Sequence, residues 1–239
     1  EITCRDWSSD VCSSDLDYFI RYYDVNEKLN NPRAIAGAAN NIASAYLEIK
    51  KYEDALRYYI KALSIYDSLN LKIGVGIIRD NIGSLFYEKK QFDDALLYHN
   101  SALAVFKELN SPVRTSNTLK NIGLIYLKQK RTEAAISRLN ESLNIATQIG
   151  QKDAIRDVSK ILAEAYHTNG NFKQAFEYLI RHVAIKDSML NAESIEKLER
   201  LQAEFEAERN NNELQSINQR VKLQRNIIYA SGAFGAILL

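Results

Sequence analysis

Few residues in this chain can break or staple a fold. Its 239 residues include two prolines, nine glycines, two cysteines and one tryptophan. So little punctuation excludes a loop-rich architecture and points to a helix-dominated protein with short connections. Charge of one sign is also missing, because the formal net charge is +1. No strong field is available to attract nucleic acid or an acidic substrate, so direct nucleic-acid binding is not expected.

Catalytic chemistry is equally scarce. The three histidines, His99, His167 and His182, have neither HxxxH spacing nor cysteine partners, so they do not make a metal set. "GVG" at 74–76 is a lone glycine pair with no preceding strand, not a phosphate loop. The carboxylates of "YEDAL" (52–56) and "FDDAL" (92–96) fall at helix starts, where they suit the helix dipole. No nucleophile–base pair can be assembled. The chain reads as non-catalytic, with no cofactor and no metal.

What the sequence does hold is a repeat of 40 residues. "NIASAY" (41–46), "NIGSLF" (81–86), "NIGLIY" (121–126) and "ILAEAY" (161–166) fall in phase. So do "YEDAL" (52–56), "FDDAL" (92–96), "TEAAI" (132–136) and "FKQAF" (172–176). One column is small throughout, Ala43, Gly83, Gly123 and Ala163, and another is all alanine, Ala55, Ala95, Ala135 and Ala175. Within each unit, apolar residues recur at three- and four-residue spacing on both sides of a short polar break, which predicts a helix hairpin. Small side chains let paired helices close up, and Tyr46, Phe86, Tyr126 and Tyr166 fill the space beside them. Successive hairpins then bury each other's apolar faces, which no hairpin does alone.

Ala43, Tyr46, Ala55, Tyr59 and Ala62 carry the small–aromatic–Ala–aromatic–Ala signature that resembles the tetratricopeptide repeat. The resemblance covers about residues 17–190 and implies an all-α, right-handed α-solenoid. It weakens in the later units, where Ser142 and His182 replace the last alanine and Leu139 and Leu179 replace the ring.

The repeat phase also runs backwards. "NEKLN" (26–30) aligns with "YDSLN" (66–70) and "FKELN" (106–110), so residues 17–30 are the second helix of an earlier unit. Residues 1–16 break this pattern. "DWSSDVCSSDL" (6–16) contains Trp7 and Cys12 and resembles the direct translation of a common short-read sequencing adapter. The segment is therefore expected to be a non-native library artefact joined to a gene fragment. A Cys4–Cys12 disulfide reading depends on the stretch being native.

Beyond the repeats, residues 191–226 lack proline and glycine and are dense in Glu, Arg, Gln and Leu. Leu198, Leu201 and Phe205 form one short stripe, and Leu214, Ile217 and Val221 form a second, out of step with it. The segment reads as a long charged helix able to pair with a second copy, or as a solvated cap. Residues 227–239 carry no charge and follow Arg220, Lys222 and Arg225. They are expected to be a truncated transmembrane segment, although a bilayer needs roughly 20 apolar residues. The arrangement resembles membrane-anchored tetratricopeptide sensors of Bacteroidetes-type bacteria, whose outputs are histidine kinases or LuxR-like regulators. That resemblance implies an inner-membrane protein with periplasmic repeats, a cytoplasmic placing being the alternative. It also implies a peptide- or protein-binding input domain. The rival reading is a scaffold or assembly module with no output domain.

In such solenoids the first helices line a concave groove. Asn41, Asn81 and Asn121 recur there in phase, and an amide can both donate to and accept from an extended peptide backbone. Each could equally satisfy backbone at an interhelical junction. Asp80, Lys120 and Lys160 precede this column or its fourth-unit equivalent, and Tyr87 and His167 lie further along. The groove is therefore expected to run from acidic to basic.

Overall fold

The computed structural model describes residues 13–186 and 192–237. Residues 1–12, with Cys4, Trp7 and Cys12, lie outside the described residues, and Ser13–Leu16 begin the first helix. The chain divides into two units, residues 1–185 and 186–239.

The first unit is a stack of helices: α1 (Ser13–Lys28), α2 (Pro32–Glu48), α3 (Tyr52–Ser68), α4 (Lys72–Glu88) and α5 (Phe92–Glu108). The stack continues through α6 (Pro112–Lys128), α7 (Thr132–Gln148), α8 (Lys152–Thr168) and α9 (Phe172–Lys186). No strand occurs among the described residues. Pro32 and Pro112 occupy the first helical turn, where a missing N–H costs nothing. Consecutive helices pack as hairpins, and the first helices α2, α4, α6 and α8 also touch one another in turn. That close approach places them on the inner, concave side of the stack.

Underneath the 40-residue repeat lies a backbone beat of half that length. Asn30, Lys50, Asn70, Lys90, Asn110, Lys130, Gly150 and Gly170 all have positive φ, between 48° and 76°. Each sits just past a helix end. At Lys50, the N–H of Lys51 donates to the Tyr46 carbonyl at 2.8 Å and that of Lys50 to the Leu47 carbonyl at 2.9 Å. This paired closure satisfies carbonyls that the helix end leaves open and turns the chain in three residues. Gly150 has φ +68° with nothing within 4 Å of an added Cβ, so only backbone strain opposes a side chain there. Gly150→Ala is expected to cost about 1 kcal/mol, read from the urea midpoint. Lys90→Gly is expected to shift the midpoint the other way. Equal effects of the same sign would contradict this account of the turns.

The small columns are buried as the pattern requires. Ala43, Ala55, Ala95 and Ala135 are all fully buried. Beside them, aromatic rings from the two helices of a hairpin stack: Tyr46 on Tyr58 at 5.7 Å, Phe86 on Tyr98 at 5.4 Å and Tyr166 on Tyr178 at 5.4 Å. In the third hairpin the second ring is replaced by Arg138, and the Arg131 guanidinium covers Tyr126 instead, 4.5 Å from its centre.

The departures from alanine are compensated by hydrogen bonds. Ser142 Oγ donates to the Ser116 carbonyl at 2.7 Å, and Ser116 Oγ returns a bond to the Ser142 carbonyl at 3.0 Å. One repeat later, His182 Nδ1 meets the Arg156 carbonyl at 2.9 Å. A carbonyl can only accept, so that nitrogen carries the proton. In both late units a polar side chain at the last-alanine position thus bonds the carbonyl 26 residues back.

The second unit contains α10 (Ala192–Ile237), a 46-residue helix. Leu201, Leu214, Ile217 and Val221 are exposed on it. One expectation is corrected here. Among the described residues no helix is long and apolar enough to cross a membrane. Arg220, Lys222 and Arg225 lie within the same helix immediately before the charge-free run. The inner-membrane localisation does not stand.

Candidate functional site

A glycine of α4 creates the room for the site. Gly83 has no side chain, and an added Cβ would lie 2.8 Å from Cδ2 of His99 and 2.9 Å from its Cγ and Cε1. The imidazole of α5 therefore rests against the α4 backbone, fully buried. It takes the position that Tyr59 and Leu139 hold in neighbouring units. Its Nδ1 lies 2.7 Å from Asp80 Oδ1, and Thr118 Oγ1 of α6 donates to the same oxygen at 3.0 Å. One carboxylate on the inner face thus ties three successive helices together.

Above this network, between α4 and α6, is a pocket of about 150 Å³ lined by Ser84, Tyr87, Glu88, His99, Asn121 and Leu124. Ser84 Oγ donates to the Asp80 carbonyl at 3.2 Å. Burial raises the Tyr87 phenol above its ordinary pKa, and the neighbouring Glu88 charge adds to the effect. The phenol is protonated at neutral pH and can donate. The Asn121 amide makes no protein hydrogen bond among the described residues, which leaves both its functions available.

The sequence-derived candidates separate accordingly. Tyr87 and Asn121 are brought together in the pocket. Asn81 lies nearby, but its Nδ2 donates to Asn40 Oδ1 of the preceding repeat at 2.7 Å. Asn41 is exposed and accepts from Asn40 Nδ2 at 3.3 Å. Asp80 bonds His99 and Thr118, Lys120 is half-buried and Lys160 is exposed. His167, also exposed, meets the Phe172 ring edge-on at 5.4 Å, and Tyr87 meets Phe92 in the equivalent place at 6.0 Å with the rings tilted. The packing columns are buried, Ala163 and Ala175 included. Sequence reasoning did not single out Glu88 and Leu124. Their signal was in the repeat phase: Leu124 interrupts the serine column of Ser44 and Ser84, and Glu88 repeats Glu48.

The geometry agrees with comparison to known families. The tetratricopeptide repeat model matches residues 34–108 and 114–188. The chain belongs to the tetratricopeptide repeat family. A search of curated proteins gave no match. Solved tetratricopeptide-like structures share the fold at low identity. BtubC from P. vanneervenii is 21% identical with a TM-score of 0.66, covering 74% of this chain and 75% of that one. A Rap protein complexed with Competence and Sporulation Factor is 17% identical with a TM-score of 0.59. The match covers 81% of this chain and 58% of the Rap protein. A signal-transduction ATPase with a tetratricopeptide repeat sensor, from Pyrococcus horikoshii, is 22% identical with a TM-score of 0.64. There the match covers 74% of this chain but 28% of that one. At these identities the likeness shows the fold. Tetratricopeptide repeats of this kind suit a protein-binding or scaffold role.

Proposed function

We propose that the inner face of α2, α4, α6 and α8 captures an extended peptide segment, and that the repeats are the input module of a signalling protein. The observation that carries the reading is the α4–α6 pocket, lined by Tyr87 and by Asn121, whose amide has no hydrogen-bond partner among the described residues. An unpaired amide at a concave surface can pair with a peptide backbone without demanding a particular sequence. The signalling half is supported by the kind of neighbour found, a Rap protein complexed with Competence and Sporulation Factor and an ATPase with a repeat sensor.

The two asparagines test the proposal because they differ in their bonds. Peptides would be selected from a random library on the immobilised chain, and the tightest measured by calorimetry. Asn121→Ala is expected to weaken that peptide by roughly tenfold while leaving the urea midpoint unchanged. Asn81→Ala removes a cross-repeat bond and is expected to lower stability by about 1 kcal/mol. If Asn121→Ala leaves binding intact and lowers stability instead, the asparagine column is structural and the groove reading fails.

A further inference from the structure

The pocket is too small for a cofactor and suited to a single side chain. Its volume of about 150 Å³ falls below the ~300–1,000 Å³ of small-molecule sites. The polar groups around it are unevenly committed. Ser84 spends its proton on the Asp80 carbonyl, so its oxygen faces a ligand as an acceptor. His99 is committed too: its Nδ1 meets the Asp80 carboxylate at 2.7 Å. Nε2 has no protein partner among the described residues, and the buried ring lines the pocket. Glu88, exposed at the rim, adds a carboxylate, and Asn121 adds a carbonyl oxygen. Among the described residues neither lysine nor arginine lines the site. Leu124 supplies an apolar wall, of the kind a methylene stem lies against.

From this chemistry we infer that the pocket takes the basic head of one lysine or arginine side chain of the bound peptide. The inference rests on the groove reading above. An ammonium or guanidinium offers only donors, which suits the committed Ser84 hydroxyl, the Asn121 carbonyl oxygen and the Glu88 carboxylate. A neutral donor would use the same acceptors but leave the Glu88 charge unanswered. An acidic head would face the Glu88 carboxylate and the Asp80 carboxylate behind His99.

The test is the same random-peptide selection, run on the full chain and on Glu88→Gln. Glu88 is an exposed surface residue, so the variant folds as the parent does. The selected peptides are expected to share one position rich in lysine or arginine. In Glu88→Gln that enrichment disappears, and a peptide chosen on the parent binds roughly tenfold more weakly, the value of one charge-assisted hydrogen bond. Replacing that basic residue of the peptide by norleucine costs the same factor in the parent and nothing further in the variant. Peptides that bind without a basic position overturn this inference and leave the groove reading intact. Peptides with an acidic position there overturn it. No binding peptide at all overturns both.

Discussion

Ala95→Leu lowers the free energy of unfolding by about 1–3 kcal/mol, the usual cost of forcing extra methylenes into a packed junction. Ala95 is fully buried in α5 and belongs to the column Ala55, Ala95, Ala135, Ala175. How tight that column is can be read one repeat later. There the carbonyl of Ala135 lies 3.5 Å from where a Cβ on Gly123 would stand, with the Leu139 side chain at 2.7 Å. Backbones that close leave no space for an isobutyl group, and the helices must separate or the side chain must leave its rotamer. The control is Leu97→Ala on the same helix. Leu97 is 67% exposed, so its truncation stays within about 0.5 kcal/mol. A neutral Ala95→Leu in urea unfolding would mean that the repeat alignment is wrong.

Gly83→Ala and His99→Ala are each expected to destabilise alone and to compensate one another together. His99→Ala removes a fully buried ring and leaves Asp80 bonded to Thr118 alone, a loss on the order of 2–4 kcal/mol from cavity and network combined. Gly83→Ala gains up to about 1 kcal/mol of helix propensity. It also places a methyl carbon within 3 Å of three His99 ring atoms, and a ring bonded to Asp80 has little freedom to retreat. Overpacking wins, and the single variant is destabilised. In the His99→Ala background the same methyl enters vacated space, so Gly83→Ala becomes stabilising. The double-mutant cycle should show favourable coupling of about 1–3 kcal/mol. Additive effects would mean that the ring does not rest on Gly83.

The parts of this structure that repeat were the parts legible in the sequence. Columns 40 residues apart exposed Ala95 and Gly83 as packing positions, because every unit faces the same steric demand. What escaped the reading were relations between columns. Ser142 registered as a defect in the alanine column, yet its partner Ser116 lies in another column that shows nothing by itself. The stack of Tyr46 on Tyr58 was missed for the same reason. The half-length beat of left-handed residues was hidden because Lys50, Lys90 and Lys130 occupy positions where glycine would have announced the turn. At the site, Tyr87 and Asn121 were legible from their phase on the inner face. Asn81 looked identical to Asn121, but its bond to Asn40 depends on a side chain from the preceding repeat. The membrane expectation rested on a short charge-free run, and among the described residues no helix is long and apolar enough to cross a membrane.

The central claim is that the inner face between α4 and α6 is where a peptide is held. It is tested most directly by titrating the isotope-labelled chain with the tightest library-selected peptide and following amide and side-chain resonances by NMR. Saturable shifts are predicted at Ser84, Tyr87, Glu88, Leu124 and the Asn121 side-chain amide, with the outer helices α5 and α7 unmoved on their exposed faces. Shifts centred on those outer faces, with the Asn121 amide unchanged, would contradict the account.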